Sequence, residues 1–212
     1  MSYFREKLSS NNLTERIIGT AILFFILFFG AMFISYFLLP EGLLKNKNPL
    51  QSWETSDNTL ILTLQIFFYN LLSVLVIALA SLFGNKKASD ANYLSFGYMA
   101  FFALISVNGI VLGTWSFSVE SEAVPLLGRI TRTFDLVHRA GLWEMTGQLL
   151  ITCANAHIAT VLTSGKETAT RNIRKIQLTN SEKAALMVGI VFILIGAIIE
   201  SISINALVTE LF

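Results

Sequence analysis

Three unbroken apolar runs constrain this chain more than any other feature. They cover residues 17–39, 60–83 and 94–117, and each is long enough to cross a lipid bilayer as a helix. Hydrocarbon offers the backbone no hydrogen-bond partner, so an isolated run of this kind crosses it as an α-helix. The chain is 54% hydrophobic and only 14% charged, which argues against an ordinary soluble domain. The sequence therefore predicts an integral membrane protein.

Two further segments are apolar enough to span a bilayer but also carry polar residues. They are residues 141–163, which contain Glu144, and residues 184–211, which contain Glu200. The predicted fold is all-α, a polytopic membrane helix bundle with about five transmembrane helices in a single domain of residues 1–212. The first apolar run is too long for a signal-peptide core, so we expect it to be retained as a helix.

A short amphipathic segment precedes the fourth span. Residues 125–139 place apolar side chains on one side of a helix and mostly basic side chains on the other. We expect this helix to lie on the outer membrane surface, where it either anchors a loop or serves as a lid or docking face. Its candidate partner surface consists of Arg129, Arg132, Phe134 and Arg139.

The distribution of basic residues predicts the orientation in the cell membrane. With a cytoplasmic amino terminus, ten of the 15 Lys and Arg residues face the cytoplasm, which agrees with the positive-inside rule. Five spans would then place the carboxyl terminus outside, and this orientation inverts if the fourth segment is re-entrant. The five basic residues on the outer side would be Lys45, Lys47, Arg129, Arg132 and Arg139.

Small and polar residues share faces on the predicted helices. Gly109 and Gly113 form a GxxxG pair in the third span, and Gly189 and Gly196 lie seven residues apart in the fifth. Such faces let helix backbones approach closely. Packing the helices through them would gather a candidate intramembrane polar site that comprises Asn70, Asn108, Glu144, Gln148, Asn155 and Glu200.

The two glutamates are functional candidates because charged side chains are costly inside a membrane. Glu144 lies near one end of its span, where a capping role at the interface is an equally good interpretation. Glu200 falls at or beyond the membrane midplane along the fifth span. There it acts either as a protonated hydrogen-bond donor or as a group involved in proton coupling.

The sequence carries no motif for catalysis, for cofactor binding or for metal binding. It lacks HExxH and GxSxG, and its single cysteine excludes a disulfide within the chain. Cys153 and His157 lie one helical turn apart without a third ligand on that face, so packing is their expected role. With a net charge of only +1, we expect no nucleic acid partner. We also expect that the protein is not an enzyme and binds no cofactor.

Several of these residues occur in an order that is found in a known family. They are Asn70, the NGIVLG segment at residues 108–113 and the GLWE step at residues 141–144. Over residues 60–159 the chain resembles the stage II sporulation protein M family of multi-pass membrane proteins, whose members carry a His where Ala140 stands here. The resemblance implies a membrane scaffold that gathers peptidoglycan-degrading enzymes during endospore engulfment, or a companion of transporters in circular-bacteriocin gene clusters.

Two hypotheses for function remain open. In the first, the chain is a non-catalytic membrane subunit of a bacterial envelope complex, for envelope remodelling of the sporulation type or for antimicrobial-peptide export or immunity. In the second, it is itself a transporter or channel that moves a peptide, lipid or ion past Glu144 and Glu200. The expected partners are membrane lipids and other envelope or transporter proteins. A homodimer is an arrangement that the GxxxG pair allows.

Overall fold

Helices dominate the computed structural model, which describes residues 2–45, 47, 56–87, 92–117, 122–137, 139–172, 174 and 176–210. The helices are α1 (Ser2–Leu8), α2 (Leu13–Leu38), α3 (Thr59–Ser81), α4 (Gly97–Gly113), α5 (Leu126–Thr133), α6 (Gly141–Ala154) and α7 (Asn180–Glu210). The strands are β1 (Phe83–Asn85), β2 (Leu94–Ser95), β3 (Val161–Ser164) and β4 (Glu167–Thr170).

Three of these helices are long and apolar enough to cross a membrane. They are α2, α3 and α7, the last over Asn180–Ala206, while α4 is a shorter apolar helix of 17 residues. Large apolar side chains point away from the bundle, as Phe37 and Leu60 do at 69% exposure each. Surrounding lipid accounts for this exposure, because water would penalise it. The prediction of a helical membrane bundle is confirmed.

Polar caps explain where the long helices begin. The side chains of Asn12 and Asn58 accept backbone N–H groups from the first turns of α2 and α3, at 2.9 Å for the shortest bond in each case. Ahead of α7, Thr179 and Glu182 form a capping box in which each side chain accepts the other residue's backbone N–H, at 2.8 and 3.2 Å. The caps hold each helix start outside the apolar run that follows it.

The helix predicted over residues 141–163 is wrong at its carboxyl end. α6 stops at Ala154 after 14 residues, and a 3₁₀ turn at Asn155–His157 follows it. Val161–Ser164 then forms β3 instead of continuing the helix. Apolar and β-branched residues fit a strand as readily as a helix, so a short apolar run does not distinguish the two.

A small sheet, which no sequence pattern predicted, has the strand order β2-β1-β3-β4. β1 pairs with β3 in parallel, while the β1–β2 and β3–β4 pairs are antiparallel. Since β1 follows α3 and β3 follows α6, the sheet joins the ends of these two helices. The Arg5 side chain of α1 donates to the Asn85 carbonyl oxygen (2.9 Å), so α1 also lies at this end of the bundle. We call this the near end of the bundle and the opposite end the far end.

α2 and α4 run parallel and pack through the GxxxG pair. A Cβ atom on Gly109 would lie 2.5 Å from the carbonyl oxygen of Phe28, and one on Gly113 would collide with that of Met32. Only residues without a side chain permit this backbone approach. In this arrangement the pair is covered within the chain and does not face a second copy.

α6 and α7 run antiparallel and also meet through glycines. A Cβ atom on Gly147 would lie 2.6 Å from the Gly189 carbonyl oxygen, and one on Gly189 would lie 2.8 Å from that of Gly147. α3 also packs on α7, where the Thr63 and Ser201 hydroxyls form a 2.6 Å hydrogen bond. The α6–α7 contact positions the polar site described below.

Candidate functional site

The candidate site is built around Glu144, which occupies the first turn of α6. Its side chain crosses the surface of α7 at Gly196, where an added Cβ atom would lie 2.6 Å from Glu144 Cγ. Any larger residue at position 196 would displace the carboxyl group. The glycine therefore lets Glu144 reach across the seam instead of remaining at the end of its own helix.

α3 contributes a hydrogen-bond donor to the same carboxyl group. Asn70 is 8% exposed, and its Nδ2 donates to Glu144 Oε1 at 2.5 Å. A buried amide requires a partner, and a carboxylate oxygen is a strong acceptor. The bond links α3 to α6 through polar atoms inside an otherwise apolar bundle.

Glu200 completes the site from α7. It follows Gly196 by one helical turn, which places it beside the point where the Glu144 side chain crosses α7. The structure thus brings Asn70, Glu144 and Glu200 together as a pair of carboxyl groups with an amide donor on Glu144.

No basic side chain among the described residues forms a salt bridge with this pair. The ion pairs within 4.0 Å are Lys7–Glu15, Arg16–Glu182 and Arg129–Glu41. A carboxylate in a poorly solvated site is destabilised unless it is paired or protonated. Neither carboxyl group therefore has a cationic partner among the described side chains.

The other two amides expected in the site are Gln148 of α6 and Asn155, which directly follows α6. Gln148, one turn after Glu144, is 5% exposed, and its Oε1 atom has no hydrogen-bond partner among the described residues. Asn155 is also buried but lies in the 3₁₀ turn, about 16 Å along the axis from Glu144 at 1.5 Å per residue. Only Gln148 is close enough to belong to the site.

The expectation that Asn108 lies in the interior is wrong. Its neighbour Gly109 faces α2, and a step of one residue rotates the side chain by about 100°. Asn108 is consequently exposed on the surface of α4. Sequence spacing identified the packing face of α4 but assigned this amide to it incorrectly.

Arg129 is buried at the far end, which corrects its assignment to an exposed partner surface. The side chain is 2% exposed and donates to Glu41 Oε1 at 2.7 Å, to the Val124 carbonyl oxygen at 2.8 Å and to the Gly113 carbonyl oxygen. Its guanidinium group also lies over the Tyr36 ring, 4.7 Å from the centroid. These contacts fasten α5 to the ends of α2 and α4.

The other members of the candidate partner surface remain around α5. Phe134 is half exposed and stacks on Phe29 of α2 with the ring centroids 6.0 Å apart. Arg132 lies over the ring of Trp115, 5.4 Å from the centroid, and Arg139 is partly buried just before α6. Leu127 and Val137 add exposed apolar area at 71% and 73%.

At the near end, Arg16 forms a polar network that the sequence analysis missed. Arg16 is fully buried and donates to Glu182 Oε1 at 2.5 Å, to the Ser10 carbonyl oxygen at 3.0 Å and to His157 Nδ1 at 2.9 Å. Arg16 directly precedes the predicted span of residues 17–39, so the sequence assigned it only to the cytoplasmic basic residues, whereas α2 begins at Leu13 and includes it. The capping-box glutamate was the one available signal that an anion would lie nearby.

Cys153 and His157 take up separate contacts. Cys153 Sγ donates to Thr20 Oγ1 at 3.2 Å, whereas His157 accepts from Arg16. Burial, and then the positive charge of Arg16, lower the pKa of His157 from its ordinary value of 6.5. In the part of the chain that the structure describes, no group of three His, Cys, Asp or Glu side chains is placed to hold a metal ion.

Long apolar helices with outward apolar side chains and a partly buried carboxyl pair between them define a helical integral membrane protein. The family model for stage II sporulation protein M matches residues 20–203. The chain therefore belongs to the stage II sporulation protein M family. Comparison with curated proteins and with solved structures finds no match.

Proposed function

We propose that this protein is a non-catalytic, multi-pass membrane subunit that assembles with partner proteins in a bacterial envelope complex. Membership of the stage II sporulation protein M family supports an envelope role, either in remodelling of the sporulation type or in antimicrobial-peptide export or immunity. The proposal treats the chain as a protein without enzymatic activity, whose contacts with other membrane or envelope proteins carry the function.

The observation that carries this proposal is the attachment of α5. Arg129 holds the helix against α2 and α4 with buried hydrogen bonds, yet Leu127 of the helix and Val137 just after it remain more than two-thirds exposed. These two side chains lie at the far end of the bundle, where another membrane protein can cover them. The combination of rigid attachment and exposed apolar area is typical of a docking surface.

The proposed orientation places the near end in the cytoplasm and α5 outside. The near end holds α1 and the small sheet, and the basic residues Arg5 and Arg171 form hydrogen bonds there. A basic end of this kind fits the positive-inside rule. The carboxyl terminus and α5 would then face the cell exterior, where cell-wall enzymes act.

The alternative is that the protein itself transports a peptide, lipid or ion. The carboxyl pair of Glu144 and Glu200 favours it, because intramembrane carboxyl groups without a cation are frequent in proton relays. The close α6–α7 contact at Gly147 and Gly189 argues against a wide pathway along this seam.

Crosslinking in native membranes, followed by affinity purification and mass spectrometry, tests the proposal. Leu127→Glu should abolish copurification of the partner without lowering the amount of folded protein, whereas Lys47→Gln makes the same one-unit change in net charge at an exposed position as a control. Recovered cell-wall hydrolases would indicate envelope remodelling, and a recovered ATPase would indicate export or immunity. Equal copurification by the wild type and Leu127→Glu would contradict the role of α5.

A further inference from the structure

The carboxyl pair requires a positive charge that no described side chain supplies. Glu144 lies against Gly196 of α7, Glu200 follows Gly196 by one helical turn, and neither carboxyl group belongs to an ion pair of the described chain. Two negative charges on neighbouring turns of this contact repel strongly where water is scarce. The arrangement is stable only when a proton or another small cation lies between the carboxyl oxygens.

Gln148 gives an independent indication of the same requirement. Its side chain is 95% buried, and Oε1 accepts no hydrogen bond from any described residue. Helical side chains lean towards the amino terminus, so the side chain of residue 148 lies over the turn that begins at Glu144. A buried acceptor is costly unless a donor or a cation reaches it. Helical spacing thus places this unpartnered acceptor one turn from Glu144 on the same face of α6.

We propose that Glu144, Glu200 and Gln148 form an exchangeable binding site for a small hard cation, either a proton or a sodium ion. The available ligands are all oxygen atoms, which hard cations prefer. Calcium needs six to eight such ligands and magnesium needs an octahedron, which three side chains do not supply. Asn70 holds Glu144 from the opposite side through its 2.5 Å hydrogen bond and fixes the carboxyl group for binding.

A cation site here is distinct from partner binding, because it would make the packing of α6 against α7 depend on the ions around the membrane. Gly196 keeps the Glu144 side chain in the seam, and Gly189 sets the helix separation. Loss of the cation would leave two carboxylates in repulsion at this contact. The packing of α6 against α7 would then depend on the occupancy of the site.

Labelling with an apolar carbodiimide tests the proposal, since this reagent modifies protonated carboxyl groups from the lipid side. The purified full chain in detergent is labelled over a series of pH values, with sodium chloride or with choline chloride at equal ionic strength. Mass spectrometry then measures the adduct on the peptides that contain Glu144 and Glu200. Glu182 in the same sample serves as an internal control, because it is held as a carboxylate by Arg16.

A proton site predicts labelling that falls about tenfold per pH unit above its midpoint. A sodium site predicts, in addition, that sodium but not choline protects the carboxyl groups at constant pH. Labelling that is absent at every pH, or identical at every pH and in both salts, would overturn the proposal. Labelling of the wild-type protein is sufficient for this test and requires no variant.

Two variants test the part assigned to Gln148. Gln148→Leu should shift the pH midpoint of labelling by about one unit or abolish sodium protection, because it removes one ligand oxygen. Thr152→Val is the control, since Thr152 lies one turn further along α6 and its hydroxyl donates only to its own helix, at 2.7 Å. A Gln148→Leu protein that titrates like the wild type would remove Gln148 from the site.

Discussion

Arg16 and Glu182 form a 2.5 Å ion pair that joins the first turn of α2 to the first turn of α7. Their side chains are 0% and 6% exposed. Desolvation offsets much of the attraction in a buried pair, so the pair itself adds little net stability. Removing one partner is different, because it leaves the other charge buried alone. The packing of α2 at the near end therefore depends on α7.

Arg16→Met should destabilise the protein by about 3–5 kcal/mol, because Glu182 would remain buried without a cation. Thermal unfolding in detergent, followed by circular dichroism, measures the loss. The double variant Arg16→Met/Glu182→Gln should recover most of it, since glutamine still completes the capping box. Lys7→Met breaks only the exposed pair with Glu15 and should leave the unfolding midpoint unchanged. Equal midpoints for Arg16→Met and Lys7→Met would contradict this account.

Gly147→Ala should destabilise the α6–α7 seam by about 1–3 kcal/mol, because the new methyl group would lie 2.6 Å from a backbone oxygen that cannot rotate away. Gly30→Ala is the matched control within α2. Nothing lies within 4 Å of its Cβ position, so alanine should be neutral or stabilising by about 0.5–1 kcal/mol. The difference between the two unfolding midpoints is the quantity to measure, and no difference would contradict the close contact.

Arg129→Lys should release α5 from the bundle without changing the net charge. Lysine has three donors on a flexible stem and cannot reproduce the guanidinium bonds to Val124 and Glu41 or the contact with Tyr36. Hydrogen exchange of residues 126–133 should accelerate about tenfold or more, which corresponds to roughly 1.4 kcal/mol or more of lost local stability. Arg132→Lys provides the control, and similar exchange in both variants would refute a special role for Arg129.

Stability should fall as the pH drops below 6.5, owing to His157. Its pKa is lowered in the folded protein, so the unfolded chain binds the proton more readily. The stability that neutral His157 contributes is fully present above pH 6.5, the pKa of the unfolded chain. It is lost as the pH falls towards the lower pKa of the folded protein. Unfolding midpoints of the wild type and His157→Gln between pH 7.5 and 5 measure it, with the pH dependence reduced in the variant. Parallel curves for both proteins would assign the effect elsewhere.

Sequence patterns predicted the membrane bundle well because bilayer thickness dictates a long apolar run. The starts of α2 and α3 follow from Asn12 and Asn58, which are capping residues ahead of such runs. The end of α6 was not predictable in the same way. Its continuation into Val161–Ser164 depends on pairing with β1, a partner 78 residues earlier at Phe83.

The candidate site was predictable only as far as a helical face can be read from spacing. Glu144 and Gln148 share a face of α6 at any rotation of that helix, so their proximity followed from the sequence. The contact of Glu144 with Asn70 depends on how α3 and α6 rotate against each other. Asn108 was assigned to the interior incorrectly for the same reason, since the backbone contact at Gly109 sets the rotation of α4.

The parallel pairing of β1 with β3 places a condition on how this protein is made. Phe83 and Val161 can meet only after α6 has emerged from the insertion machinery, long after α3 has left it. The pairing also requires both helices to finish on one face of the bilayer. A chain that inserted α6 in the opposite direction could not assemble the sheet. The four short strands therefore pair only when α3 and α6 have inserted in the same direction.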